Sequence, residues 1–169
     1  MQVRAFMERE VEPIINDYWS RDEFPKQLIA KFRELDLINK LFSEDGTRAA
    51  DASVLEGICT MEMARIDVST ATFFGVHAGL AMLSILVGGS EAQKQAYLPR
   101  MRTMELIGAF GLTEPQVGSG AAGGLTTTSK REGDSWVLNG EKYWIGNSTF
   151  ADIIIIWARD LEDGNVKGF

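Results

Sequence analysis

The stretch Gly111-Leu112-Thr113-Glu114-Pro115-Gln116-Val117-Gly118-Ser119-Gly120 decides how the second half of this 169-residue chain is interpreted. It follows the apolar run Leu106-Ile107-Gly108-Ala109-Phe110, so we predict a loop at the end of a strand. Glycines let a backbone approach a ligand closely, and its N–H groups can then face polar ligand atoms. A second stretch, Tyr143-Trp144-Ile145-Gly146-Asn147, follows the hairpin signal Asn139-Gly140 and carries a tryptophan expected to be exposed. We therefore expect the two stretches to meet over one ligand.

The composition is that of an ordinary globular protein, with 45% hydrophobic and 24% charged residues. The length suits one domain or two small ones and is sufficient for a substantial core. A net charge of -7 argues against nucleic acid or an anionic membrane surface as the main partner. The only cysteine, Cys59, lies in an apolar helical pattern, which indicates an inert core thiol and favours a reducing compartment.

Apolar residues recur at helical spacing through the first hundred residues, which predicts an all-α domain over residues 1–104. Capping-box spacing predicts helix starts at Ser53-Val54-Leu55-Glu56 and at Ser90-Glu91-Ala92-Gln93. Pro13 predicts a kink or break in the first helix, whereas Pro25 opens the second.

Residues 68–90 contain no Asp, Glu, Lys or Arg and are long enough to span a bilayer. Several hydroxyl residues and four glycines, with no basic flank or aromatic belt, favour instead a buried helix at the centre of a helical domain. We interpret His77 within this helix as a hydrogen-bonded core histidine.

After Pro99 the apolar period changes from 3.6 to 2, which predicts an antiparallel β domain over residues 105–169. The predicted strands are 106–112, 125–130, 135–138, 141–145, 153–158 and 166–169. The fold class is therefore α+β, with helices first and then an incomplete, barrel-like sheet that requires more partners.

Three ordered motifs resemble the acyl-CoA dehydrogenase and acyl-CoA oxidase family. They are the segment from Gly89 to Pro99, Leu112-Thr113-Glu114-Pro115 followed by Gly118-Ser119, and the segment from Leu138 to Ile145. The resemblance implies a helical N-terminal domain, a β middle domain and a C-terminal helical domain that is absent from this sequence. It also implies FAD as cofactor and oxidation of an acyl-CoA thioester to its trans-2-enoyl form.

The resemblance assigns a set of cofactor-binding positions to this chain. They are Phe110, Leu112, Thr113, Gly118, Ser119, Trp144, Ile145 and Gly146. Ser119 is also the expected contact to the substrate thioester arm. The family takes its catalytic glutamate from the C-terminal domain, so no residue here receives the catalytic role, and the counterpart of Glu114 is structural.

Two positions depart from the family pattern. Gly120 stands where an aspartate is usual, and Gly146 stands where many members have a threonine near flavin N5. We expect these departures to change the flavin potential or the access of oxygen. The segment from Trp144 to Asp152 resembles short-chain peroxisomal acyl-CoA oxidases, which pass electrons to oxygen rather than to an electron-transferring flavoprotein.

Glutaryl-CoA dehydrogenase is also similar, through the segments from Phe110 to Pro115 and from Ile155 to Arg159. That enzyme holds the substrate carboxylate with an arginine, and this chain has Ala71 at the corresponding position and Ala64 in place of a nearby glutamate. A short, unbranched monocarboxylic acyl-CoA is therefore the preferred substrate.

The sequence shows no metal-ligand spacing and no Walker or Rossmann pattern, and the run from Gly118 to Gly123 lies among strands rather than opening a helix. The family implies a homotetramer in a peroxisome, a mitochondrial matrix or a bacterial cytoplasm, and no secretion signal begins the chain. The alternative is a truncated or split subunit that needs a partner chain.

Overall fold

The computed structural model describes residues 2–43, 47–120 and 123–169. The first part of the chain is helical. Its elements are α1 (Gln2–Phe6), a π-helical turn (Met7–Val11), α2 (Glu12–Trp19), α3 (Gln27–Leu35), α4 (Leu37–Leu41), α5 (Ala52–Ala64), α6 (Val68–Phe74), a π-helical segment (Gly75–Met82), α7 (Leu83–Gly88) and α8 (Glu91–Arg102).

Aromatic side chains at helical spacing build the core of these helices. Leu28 and Phe32, four residues apart on α3, are both buried. The ring centroid of Phe32 lies 4.8 Å from that of Phe6 and 5.7 Å from that of Phe73 in an edge arrangement, so three separate helices meet at this ring.

The helix-start predictions have mixed outcomes. Ser90 and Gln93 form the predicted capping box at the start of α8. The Ser53 capping box is wrong, because α5 begins at Ala52 after Asp51, whose carbonyl accepts the Val54 and Leu55 N–H groups. Pro13 does not break the helix either. It lies at the start of α2, and the hydrogen-bond register shifts in the π-helical turn just before it.

An apolar helix is confirmed over Val68–Gly88, which has a mean hydropathy of 1.7 and is long enough to span a membrane by that measure. The expectation that this helix is buried at the centre of the helical domain holds for one face only. One side of it is core, with Phe73, Phe74 and His77 buried. The other side remains apolar and exposed at Val68 and Val87, so the helix is covered on one face only.

The second part of the chain is a mixed sheet. Its strands are β1 (Gly108–Gly111), β2 (Thr128–Glu132), β3 (Ser135–Asn139), β4 (Ile153–Asp160) and β5 (Val166–Gly168). The order is β1-β4-β2-β3, and β5 also pairs with β4. The order of helices before sheet is confirmed, and the sheet does not close into a barrel.

The prediction of a wholly antiparallel sheet is wrong. β1 and β2 both run parallel to β4, with Gly108 opposite Ile153 and Thr128 opposite Arg159. Of the strand pairs in this sheet, the β2–β3 hairpin and the β4–β5 pair are antiparallel. Parallel strands need a connection that leaves the sheet and returns, and such connections separate β1 from β2 and β3 from β4. A period-2 pattern indicates a strand but not its direction relative to its neighbours.

The predicted strand over residues 141–145 is also wrong, and Asn139-Gly140 does not form a hairpin turn there. The chain leaves the sheet after Asn139. Trp144 and Asn147 both have left-handed backbone conformations, with φ of 58° and 66°. These angles exclude extended structure, so tertiary contacts override the local signal.

His77 joins the helical part to the first strand, as the core interpretation predicted. Its Nδ1 accepts the Gly108 N–H at 3.0 Å, so Nε2 carries the proton and donates to the Met101 carbonyl at 3.0 Å. Burial lowers the pKa of His77 to about 4, against a smaller raising effect of the Met101 hydrogen bond. Any Cβ at position 108 would lie 2.6 Å from the Ala81 Cβ, so glycine is required for β1 to reach this helix.

Candidate functional site

The two stretches that the sequence singled out lie together. β1 ends at Gly111 and leads directly into the first of them. The Tyr143 N–H donates to the Thr113 carbonyl at 2.9 Å, which joins the second stretch to the first. We call residues 111–120 and 143–147 the loop pair.

A buried ion pair lies beneath the loop pair. Lys142 Nζ is 2.8 Å from Glu114 Oε1 and donates to the Leu112 carbonyl at 3.0 Å. Thr126 donates its N–H and its hydroxyl to Glu114 Oε2 at 2.7 Å each, and the Thr127 N–H donates to Oε1 at 2.9 Å. The Glu114 side chain has no exposed surface and that of Lys142 has 9%.

The charge state of Glu114 follows from these contacts. Burial alone would raise the pKa of Glu114, but the hydrogen bonds from Lys142, Thr126 and Thr127 outweigh burial and hold it well below its ordinary value. A buried, fully bonded carboxylate cannot serve as a proton acceptor for a substrate. The contacts of Glu114 therefore agree with the structural role expected for it, since they connect the loop to Lys142, Thr126 and Thr127.

Gly118 turns the first stretch of the loop pair back on itself. Its φ is 56°, and it exchanges both backbone hydrogen bonds with Glu114, at 2.9 and 3.0 Å. The Gly118 N–H is consequently not available to a ligand in this arrangement. Polar groups on the surface here include the Thr113 and Ser119 hydroxyls, whose oxygens are 3.2 Å apart.

Trp144 presents an open aromatic face. Its side chain is 82% exposed, and its main described ring neighbour is Tyr143, at 4.6 Å between centroids in an edge arrangement. A positive φ on a residue this bulky is uncommon and is retained only where surrounding contacts fix it. The backbone of the loop pair, rather than packing around the ring, therefore sets where Trp144 stands.

The remaining predicted site residues are less exposed than Trp144. Leu112, Ile145 and Gly146 are half-buried. Gly146 lies against the apolar helix, where an added Cβ would be 3.2 Å from Val76 Cγ2. Phe110 differs, because its ring packs on Trp157 at 6.0 Å.

Asn147 and Lys142 were not identified from the sequence. The Asn147 amide donates to the Phe73 and Gly108 carbonyls at 3.1 Å each. Asparagine tolerates a left-handed backbone better than other non-glycine residues, and that was the signal available in the sequence. Lys142 carried no local signal, because its partner lies 28 residues away.

Gly120 also has a local structural reason. An added Cβ there would lie 3.1 Å from the Val117 carbonyl oxygen and 3.3 Å from Gly124 Cα. The run from Gly118 to Gly123 includes the two alanines at 121–122, which lie outside the described residues. Within the ranges that the structure describes, no group of three His, Cys, Asp or Glu side chains could hold a metal ion.

Comparison with known proteins decides the family. Residues 1–105 match the acyl-CoA dehydrogenase N-terminal domain, and residues 109–169 match the acyl-CoA dehydrogenase middle domain. The chain belongs to the acyl-CoA dehydrogenase family. This family member is 36% identical over 165 residues to the mitochondrial short-chain specific acyl-CoA dehydrogenase of Rattus norvegicus, covering 98% of this chain and 40% of that protein.

Two further relatives agree with this assignment. An acyl-CoA dehydrogenase of Bacillus subtilis is 35% identical over 166 residues, covering 98% of this chain and 44% of that protein. The glutaryl-CoA dehydrogenase of Mycobacterium smegmatis in complex with FADH2 has a TM-score of 0.87 and 32% identity, covering 99% of this chain and 42% of that one. The family member described here thus spans less than half the length of these relatives.

Proposed function

We propose that the loop pair is one wall of an FAD site in an enzyme that oxidises an acyl-CoA thioester to its trans-2-enoyl form. The observation that carries this proposal is the juxtaposition of an exposed tryptophan with the Thr113 carbonyl and the Thr113 and Ser119 hydroxyls. Most of the positions that the family resemblance assigns to flavin contacts lie in this loop pair. The division into residues 1–104 and 105–169 is part of the same proposal.

The residues present fit a flavin. An isoalloxazine is flat and apolar across its faces, and it carries hydrogen-bonding atoms along its pyrimidine edge. The Trp144 ring offers an aromatic face, and the Thr113 and Ser119 hydroxyls offer polar contacts on the stretch to which Tyr143 is hydrogen-bonded. The residues that would hold the cofactor are Leu112, Thr113, Ser119, Trp144, Ile145 and Gly146, with Phe110 reached mainly through its backbone. Gly118, whose backbone groups bond to Glu114, would shape the turn that carries Ser119.

When bound, FAD would supply the acceptance of a hydride from the substrate β carbon. This chain would bind and orient it. The Glu114–Lys142 pair fixes the loop beneath Thr113, so the hydroxyls and the Trp144 ring hold one geometry without rearrangement. Gly146 leaves the space beside Trp144 free of a side chain, and Val76 fills the helix side of that position.

Removal of the substrate α proton requires a base, and we assign none in this chain. Glu114 is enclosed and fully hydrogen-bonded. His77 has both nitrogens engaged in the core. The base belongs to the part of the protein that the longer relatives have beyond the matched region.

The substrate that we propose is an acyl-CoA with a short, unbranched monocarboxylic chain. Ala71 is buried and Ala64 is half-buried, so neither position offers a charged partner to a second carboxylate. An active preparation should therefore prefer butyryl-CoA to glutaryl-CoA. Preference for glutaryl-CoA would contradict this assignment.

The electron acceptor in this proposed function is either oxygen or an electron-transferring flavoprotein. At position 146, where the family resemblance implies threonine in many members, this chain has glycine and so offers no hydroxyl to the proposed flavin. Peroxide released stoichiometrically with enoyl-CoA would support an oxidase. Strict dependence on an electron-transferring flavoprotein would identify a dehydrogenase. The homo-oligomer and its location in mitochondria, peroxisomes or a bacterial cytoplasm remain what the family resemblance implies, and one relative is named as mitochondrial.

The test of the cofactor uses the protein purified from its own cells together with any polypeptide that co-purifies. Flavin absorption in the visible range, released as FAD on denaturation, is expected. A colourless preparation that does not take up added FAD would contradict the proposal. The exposed face of Trp144 also favours a second candidate, a subunit that completes its site with a partner chain, and a stoichiometric second polypeptide in the coloured preparation would establish it.

A further inference from the structure

The second stretch of the loop pair, residues 143–147, is called the Trp144 turn here, and one buried amide attaches it to α6 and β1. Asn147 is 8% exposed, and its Nδ2 donates to the carbonyls of Phe73 and Gly108. Since both partners are carbonyl oxygens, the amide orientation is fixed. Phe73 belongs to α6 and Gly108 is the first residue of β1, so one side chain links the turn to both parts of the fold.

The backbone of Asn147 is engaged as well. Its carbonyl accepts the Phe150 and Ala151 N–H groups at 3.0 and 2.9 Å, and its φ is 66°. Left-handed conformations at non-glycine residues persist where surrounding contacts determine them. Asn147 thus combines a less favoured backbone conformation with four hydrogen bonds that hold it there.

Gly108 is held from two directions. His77 accepts its N–H and Asn147 donates to its carbonyl. The N–H of Gly108 therefore connects the start of β1 to the apolar helix, and its carbonyl connects the start of β1 to the Trp144 turn. β1 leads from here to the first stretch of the loop pair, so both stretches are placed from the same point.

We propose that Asn147 is a positioning residue for the Trp144 ring. The ring itself is 82% exposed and contacts Tyr143, so side-chain packing alone does not determine its place. Three residues after Trp144, the Asn147 amide fixes the end of the turn against α6 and β1. The consequence for cofactor binding rests on the proposed function, whereas the consequence for the ring position does not.

The experiment compares two substitutions with different backbone preferences. Asn147→Gly accepts a positive φ without strain and removes only the amide. Asn147→Asp keeps the shape and the tolerance of a left-handed backbone, but it presents carboxylate oxygens to two carbonyls. Asn16→Ala, an exposed asparagine on α2, is the matched control.

Two readouts are measured on each variant. The first is the near-ultraviolet circular dichroism of Trp144, defined as the difference between wild type and Trp144→Phe. The second is the FAD affinity of the purified protein. We expect both Asn147 variants to lose most of the Trp144 signal and to bind FAD about tenfold more weakly, while Asn16→Ala matches wild type.

The pH dependence of Asn147→Asp adds a signature that a general packing role would not produce. A protonated carboxyl group can donate one of the two lost hydrogen bonds, so the Trp144 signal of this variant should return in part on mild acidification. Asn147→Gly should show no such return.

The outcomes separate the two claims. A retained Trp144 signal in Asn147→Gly overturns the positioning role, and so does global unfolding of both variants, which would make Asn147 a residue of the whole fold. A Trp144 signal that depends on Asn147 in a protein that never binds FAD upholds the positioning role and contradicts the proposed function. A lost signal with unchanged FAD affinity removes the link between them.

Discussion

Two regions of the molecule place their polar and aromatic groups in opposite ways. One is the contact between the apolar helix and β1, and the other is the loop pair around Trp144. At the first, His77 is fully buried with both ring nitrogens bonded, and apolar atoms surround it. At the second, the polar ties of Glu114 and Lys142 lie inside and the aromatic ring lies outside, 82% exposed. The loop pair therefore exposes an aromatic ring above a buried ion pair, which is a surface suited to a partner or ligand. At the helix contact, by contrast, the His77 ring is buried and both of its nitrogens are bonded within the protein.

The largest effect should come from breaking the buried pair. Glu114→Gln leaves the Lys142 ammonium buried without its counter-charge, so we expect a loss of about 3 to 5 kcal/mol in the free energy of unfolding. Chemical denaturation at neutral pH measures it. Glu141→Gln, an exposed neighbour in the same segment, is the control and should change the free energy by no more than about 0.5 kcal/mol.

The pH dependence of this pair has a definite sign. Because the pKa of folded Glu114 lies below its ordinary value, its stabilisation is present above the unfolded pKa of about 4.3 and is lost as the pH falls below that value. Glu114→Gln should flatten the acid limb of the stability curve. Equal acid limbs in the variant and the wild type would show that the pair does not carry this charge linkage.

His77 should give the next largest effect, and over a different pH range. Its folded pKa of about 4 lies below the unfolded value of about 6.5, so its stabilisation is present above pH 6.5 and lost as the pH falls toward 4. This corresponds to roughly 3 kcal/mol. His77→Leu should remove that dependence and cost about 2 kcal/mol at pH 7, because the Gly108 N–H loses its acceptor.

A spectroscopic measurement checks His77 independently. It is the only histidine in the sequence, so a single imidazole signal is followed by NMR. We expect a neutral ring protonated at Nε2 near neutral pH, with a titration midpoint near pH 4. A midpoint near 6.5 in the folded protein would contradict the burial of His77 between the apolar helix and β1.

The packing of the Trp144 turn on the helix should give a smaller effect. Gly146→Thr places a Cβ 3.2 Å from Val76 Cγ2, so we expect a loss of about 1 kcal/mol. Val76→Ala in the same protein should restore part of it. Gly57→Ala, with nothing within 4 Å of the added Cβ, is the control and should not destabilise.

If Gly146→Thr leaves the free energy of unfolding unchanged, packing against Val76 does not explain why this chain has glycine at position 146. Its origin would then lie in the chemistry beside the proposed flavin. A penalty that Val76→Ala does not reduce would place the strain elsewhere in the turn.

The helices were largely predictable because their apolar residues recur locally, as Leu28 and Phe32 show. The Ser90 capping box was also a local signal. Strand pairing was not predictable, since β1 pairs with β4 across more than forty residues and in a parallel direction. The strand predicted at 141–145 failed because Tyr143 and Lys142 contact Thr113 and Glu114, partners far away in sequence.

The candidate site was predictable only as a set of family positions. The structure brings Thr113, Ser119 and Trp144 into one loop pair, and whether each contacts flavin stays a prediction. Asn147 and Lys142, which hold the loops, were missed because their roles depend on backbone carbonyls and a carboxylate that folding brings near.

The smallest effect on stability should come from the residue with the largest expected effect on function. Trp144 is mostly exposed, so Trp144→Ala should change the free energy of unfolding by no more than about 0.5 kcal/mol. A larger loss would mean that the ring supports the fold, as an ordinary packed aromatic does. Leu161→Ala, another exposed apolar residue, is the matched control.

The most direct test is an FAD titration of the protein purified from its own cells, comparing wild type with Trp144→Ala and Leu161→Ala after removal of bound flavin. We predict saturable FAD binding by wild type and Leu161→Ala, and binding at least about tenfold weaker by Trp144→Ala with unchanged stability. Equal FAD affinity in all three proteins would contradict the assignment of the loop pair as a flavin wall.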